Sequence, residues 1–162
     1  MNKDKYIQQI ESKLRANFHI EKDVIEDNIK FEMIARYHNI SGRMFISKVD
    51  IIDQYETFEN CYLKCIDVPE IKDILEYFDI MIQKSKGINP GKDHFYTDVT
   101  GIIVAEKLPL ESENTLKKLK FGKTFRLMWR GFTTVRLICV ELSTGNVFSN
   151  KAGREIKKVY NF

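Results

Sequence analysis

The side chains with the greatest chemical reach concentrate in one stretch of the chain. No acid lies between Asn114 and Val140, whereas Lys117, Lys118, Lys120, Lys123, Arg126, Arg130 and Arg136 all do. In KKLKFGKTFRLMWRGFTTVR the cations interleave with Phe121, Phe125, Trp129 and Phe132. Lys and Arg meet phosphates, and unpaired bases stack on aromatic rings. The stretch is therefore a candidate nucleic-acid or polyanion-binding face, with Lys123, Arg126, Arg130 and Arg136 as its contacts. The same residues also describe an ordinary strand from Lys123 to Trp129. Alternation puts Thr124, Arg126, Met128 and Arg130 in water, with Lys123, Phe125, Leu127 and Trp129 facing a core. Burial of the rings separates the two readings. Arg130 has a second reading of its own, as a buried arginine paired with a carboxylate from the acidic half of the chain.

Other reactive residues form no complete motif. Gly122-Lys123-Thr124 matches the end of a phosphate-binding P-loop, but Lys117 stands where that loop needs Gly. No Ser sits in a Gly-x-Ser-x-Gly elbow. His19, His38 and His94 are far apart and lack paired-ligand spacing. Cys61, Cys65 and Cys139 follow no framework spacing. On one strand face Cys61 and Cys65 would be about 13 Å apart, too far for a disulfide. Three reduced cysteines are expected, with no metal and no cofactor.

The net charge of +3 conceals an asymmetry: residues 1–80 carry a balance of −5 and residues 81–162 one of +8. Such a split can mark an anionic partner or a basic sheet packed near an acidic layer. With 43% hydrophobic and 30% charged residues, the composition is that of a globular chain. Apolar runs no longer than four residues exclude a membrane-spanning helix, which needs about 20. The N-terminal residues lack the apolar core of a signal peptide, so the expected location is cytoplasmic.

The elements that position these residues follow from periodicity. Tyr6, Ile7, Ile10, Leu14 and Phe18 predict a helix capped by Asn2 and ending near Asn17. Ile29, Phe31, Met33, Ala35 and Tyr37 predict the buried face of a strand, followed by a turn at Asn39–Gly42 and a second strand from Arg43 to about Asp50. Glu59-Asn60 is a candidate tight turn before a third strand, Tyr62–Ile66. Asp67 and Pro69 then open a helix with the stripe Ile71, Ile74, Leu75, Phe78, Met81 and Ile82. Phe95–Glu106 is apolar on both faces at its centre, the mark of a covered strand. Ser112 opens a short helix that Gly122 ends. Strands are expected at Lys123–Trp129, Thr133–Leu142, Val147–Asn150 and Arg154–Tyr160, the middle pair turning at Ser143–Asn146. Phe31, Leu75, Phe78, Ile103 and Leu137 are expected in one core.

The predicted fold class is α+β. It has a mainly antiparallel sheet, an N-terminal helix and two helices packed on it, in the order α-β-β-β-α-β-α-β-β-β, all in one globular domain over 1–162. A helix, three strands, a helix and a strand is also the core order of restriction-endonuclease-like nucleases. That resemblance implies metal-binding acids on the second and third strands beside a Lys. Asp50, Asp53 and Lys64 lie near those places, but Tyr62 stands where the second acid is needed. The implied relative is a degenerate one.

The C-terminal third, FRLMWRGFTTVRLICVELSTGNVFSNKAGREI, resembles the ending of a group of small bacterial proteins carried as domains of unknown function. The resemblance rests on Arg130-Gly131, Val135-Arg136-Leu137 and Asn150-Lys151-Ala152-Gly153. It implies a bacterial cytosolic protein and carries no activity. The expected function is a non-catalytic binding or regulatory domain, with nucleic-acid or polyanion binding as the alternative and an enzyme of unrecognised chemistry third. No membrane partner is expected.

Overall fold

Two helical stripes and a run of long strands set the architecture. The computed structural model describes residues 1–44, 51–127 and 129–162. Helix α1 (Lys3–Leu14) starts at Asn2, whose side chain accepts a hydrogen bond from Lys5 N at 2.9 Å. Tyr6, Ile10 and Leu14 form its buried face. Strands β1 (His19–Glu26) and β2 (Ile29–Met44) form a hairpin whose two turn residues, Asp27 and Asn28, both have positive φ. That turn matches the right-handed twist of its strands.

β1 was not expected. HIEKDVIE is an edge strand with only partial burial, so it lacks an apolar alternation. The expected turn at Asn39–Gly42 is absent: these residues pair across with Thr57–Gln54 of β3 (Ile51–Cys65). Glu59 and Asn60 likewise lie mid-strand. Ladder pairing overrides local turn preference here. The strand expected from Arg43 to Asp50 falls mostly outside the described residues. In β2 the side-chain parity shifts once. Phe31 and Ile34 join one core, and Met33 and Ala35 join the other.

Helix α2 (Ile71–Lys86) begins later than Asp67. Glu70 caps it, its N–H donating to the Asp73 carboxylate at 2.7 Å. Its buried stripe is Ile74, Tyr77, Phe78, Met81 and Ser85. Leu75 is 40% exposed and lies outside the core, contrary to expectation, because it sits about 100° round the helix from that stripe. Phe31, Phe78, Ile103 and Leu137 do share one cluster.

The remaining elements are β4 (His94–Ala105), α3 (Ser112–Lys118), β5 (Gly122–Thr124), β6 (Phe132–Glu141), β7 (Val147–Ser149) and a 3-10 turn at Lys157–Tyr160. Lys123–Trp129 is therefore not one strand. Only its first two residues pair, and backbone reversal follows at once. Arg154–Tyr160 is turn and 3-10 rather than strand.

The seven-stranded sheet runs β1-β2-β3-β4-β6-β5, with β7 beside β6. It is mixed. Its outer pairs are antiparallel, while β3, β4 and β6 are parallel at the centre. The doubly apolar part of β4, Val99–Ala105, is central and buried on both faces, as parallel strands require. Odd residues Val99, Ile103, Val135 and Leu137 face α2, and even residues Ile102, Val104, Ile138 and Val140 face α1. Gly101 lets α2 approach, since a Cβ there would lie 2.8 Å from Met81 Cγ. Tyr160 covers the α1 side, and Tyr6 Oη donates to its carbonyl at 2.8 Å. Among the described residues no helix is long and apolar enough to cross a membrane.

Candidate functional site

Strand parity places a polar row on the α1 side of the sheet. β3, β4 and β6 run in register there, aligning Thr57 with Tyr96 and Phe132, Glu59 with Asp98 and Thr134, and Cys61 with Thr100 and Arg136. Beyond this row, α1 and Tyr160 seal the apolar half of the face. The half nearer the starts of β4 and β6 stays open as a cleft of about 850 Å³. Tyr96, Asp98, Phe132, Thr134 and Arg136 rise from the sheet into it. Lys120, Phe121 and Gly122 line it from the segment leading into β5, and Lys151, Ala152 and Glu155 from the C-terminal segment.

A buried asparagine fixes that C-terminal wall. Asn150 Oδ1 accepts from Leu137 N at 3.1 Å and Gly153 N at 3.0 Å, and its Nδ2 donates to Val135 O at 3.1 Å. Three backbone groups are thereby satisfied where β6 has lost its strand neighbours between β5 and β7.

An ion triad lies beside the cleft floor. Arg136 reaches across the sheet to Asp98 at 2.6 Å and Glu59 at 3.3 Å. Burial pushes the Asp98 carboxyl up to about 6. Arg136 opposes the shift, and the charges of Glu59 and Glu155 add to it. Two carboxylates sharing one guanidinium form a costly arrangement that gains little over apolar packing. Carboxylates held this way in a cleft are common at functional sites. Tyr96 and Phe132 stack beside the triad, their centroids 5.9 Å apart and their planes at 24°.

The basic stretch is divided by the fold. Phe125 and Gly131 close a tight loop, through Phe125 N to Gly131 O at 2.8 Å and Arg130 N to Phe125 O at 3.2 Å. Arg126 and Leu127 have positive φ, so the expected alternation of faces does not apply. Lys123, Arg126 and Arg130 meet around a shallow depression with Asn89 and Pro90, but Arg136 does not join them. Among the described residues Arg130 has no carboxylate partner, and the pairing with carboxylates expected for it belongs to the half-buried Arg136. The rings separate as well. Phe125 is buried, Phe121 and Phe132 are half-buried, and Trp129 is 87% exposed beside Leu127 at 90%.

The triad was missed in the sequence although a signal for it existed. Arg136 lies in VRLICV and Asp98 in DVTGIIVA, both runs apolar on alternate sides. An isolated charge in a doubly covered strand requires a partner of opposite sign.

The other candidates gather no site. Asp50 and the side chain of Asp53 lie outside the described residues, and Tyr62 is packed in the α2-side core. Gly122-Lys123-Thr124 is strand β5 and opens no helix. His38 and His94 flank Phe58 in a stacked ladder, at centroid distances of 4.3 and 6.0 Å. The three cysteines are free, and the described residues contain no group of three or more His, Cys, Asp or Glu placed to hold a metal.

Comparison with known families gives one match, to the model described as Domain of unknown function (DUF8052), over residues 2–162. The match spans nearly the whole chain rather than the C-terminal third alone. No curated protein and no solved structure matches it.

Proposed function

We propose that this chain, which belongs to the DUF8052 family, is a binding domain that takes a small ligand with a planar ring in the cleft over β4 and β6. The observation that carries the reading is the half-covered sheet face. Where α1 stops, the strands change from apolar to aromatic and charged side chains, and the stacked Tyr96–Phe132 pair lies beside the Asp98–Arg136 contact. A cleft of this size falls in the range of small-molecule sites, roughly 300–1,000 Å³. Aromatic surface with a few fixed polar groups is the usual composition of such a site. Indole, a neutral planar probe, tests this reading: it should perturb the amides of Tyr96, Phe132 and Thr134 in a nuclear magnetic resonance titration. Shifts scattered over the surface, or unchanged in Phe132→Ala, refute it. A cytosolic setting belongs to the same proposal, because it keeps Cys61, Cys65 and Cys139 as thiols.

A second reading is favoured by one feature, the exposure of Trp129 between Arg126 and Arg130. In this reading the 125–131 loop contacts a single-stranded nucleic acid, with Trp129 stacking on a base and Lys123, Arg126 and Arg130 meeting phosphates. Affinity for a labelled oligonucleotide should then fall steeply with salt. Binding that survives Trp129→Ala together with Arg130→Ala removes the loop from consideration.

A further inference from the structure

The cleft carries charges of both signs in a fixed layout, and the layout selects a ligand class. Building on the reading of the cleft as the binding site, we infer that its occupant is a small anionic molecule on a planar ring bearing N–H donors, the class to which purine nucleotides belong. Lys120 and Lys151 stand on two different walls, both exposed, and neither pairs with a carboxylate among the described residues. Two ammonium groups so placed suit the oxygens of a phosphate. Tyr96 and Phe132 rise from the sheet floor and offer half-exposed rings to a flat partner. Base-on-ring stacking is worth about 1–3 kcal/mol.

The acids decide the rest of the ligand. Asp98 gives one oxygen to Arg136 and, as a carboxylate, keeps capacity to accept from a further donor. Glu155 brings a second carboxylate to the cleft wall. A bare chain of phosphates would be repelled by this pair. A nucleotide can turn its amino edge towards the acids and its phosphate towards the lysines. The volume of about 850 Å³ has room for base, sugar and phosphate together.

Calorimetric titration of the full chain with adenosine 5′-monophosphate, adenosine and ribose 5-phosphate tests the inference. The nucleotide should bind at least about tenfold tighter than either fragment. Lys120→Gln with Lys151→Gln should bring the nucleotide down to the level of adenosine and leave adenosine unchanged. Both lysines are exposed, so the variant should melt as the wild type does. Equal affinity for adenosine and its monophosphate overturns the inference, and so does ribose 5-phosphate binding as tightly as the nucleotide. Indole mapping to the cleft without nucleotide binding removes the ligand class and leaves the cleft reading standing. If indole fails as well, both fall.

Discussion

His94 holds the carbonyl oxygen of Arg130 through Nδ1 at 2.6 Å, and its Nε2 lies 2.8 Å from Thr97 Oγ1. A carbonyl only accepts, so Nδ1 donates to it. The buried ring also meets Phe125 edge-on at 5.6 Å. One histidine thus fastens both ends of the 125–131 loop to the start of β4. His94→Ala should speed amide exchange at Phe125 and Arg130 by more than about tenfold and lower stability by roughly 1–3 kcal/mol. Unchanged exchange there would show that the loop's own hydrogen bonds suffice.

Two glycines separate backbone strain from steric clash. Gly131 and Gly145 have φ of +73° and +77°. A Cβ at Gly131 would lie 2.0 Å from Phe95 O, whereas at Gly145 the nearest atom, Phe162 Cζ, is 3.8 Å away. Gly145→Ala should cost about 1 kcal/mol, the left-handed penalty alone. Gly131→Ala should cost clearly more, because backbone must move. Denaturant unfolding of both variants makes the comparison, and equal losses would contradict it.

Burial raises the Asp98 carboxyl from 3.8 to about 6, so the folded protein holds this proton more tightly than the unfolded chain does. The contribution to stability is full below about pH 4 and is lost as pH rises through 6. The stability of the wild type relative to Asp98→Asn should therefore fall across that window, by at most ~3 kcal/mol. Melts at a series of pH values measure the difference, and a flat or rising difference refutes the assignment.

Neighbouring positions on α2 should behave oppositely. Ile74→Ala removes a fully buried side chain and should cost about 2–5 kcal/mol. Leu75→Ala acts on an exposed one and should cost less than about 1 kcal/mol. Chemical denaturation of the pair tests where the stripe lies.

Asn150 offers a fifth test. Asn150→Ala orphans the N–H of Leu137 and the C=O of Val135 inside the protein. A loss of roughly 2–4 kcal/mol is expected, together with weaker binding in the cleft whose wall the residue fixes. Asn150→Asp retains the acceptor and should lose less of both.

The legible parts of the fold were those with one dominant period. The α1 stripe and the doubly apolar β4 read correctly from side-chain spacing, and the Ser143–Asn146 turn from its polar residues and Gly145. β1 did not, because an edge strand buries too little to leave a pattern. Asn39–Gly42 misled, since turn-prone residues become strand once a long partner supplies the ladder. Of the expected contacts, Lys123, Arg126 and Arg130 do converge, although on a loop rather than a strand face. The cleft was out of reach, because its walls join residues 96–98, 120–122, 132–136 and 151–155 through parallel pairings that no local period encodes.

The bond from Tyr6 to Tyr160 has a bearing on biosynthesis. Translation delivers α1 long before Leu142, Val147 and Tyr160, which supply part of the apolar cover for that helix. While the ribosome makes the middle of the chain, the β1–β3 meander and α1 present an unfinished greasy surface to the cell. The central strands cannot complete it until β6 slots in beside β4. Nascent chains of this protein should therefore depend on holding chaperones for most of their synthesis, and a ribosome stalled before residue 160 should leave a product that proteases clear.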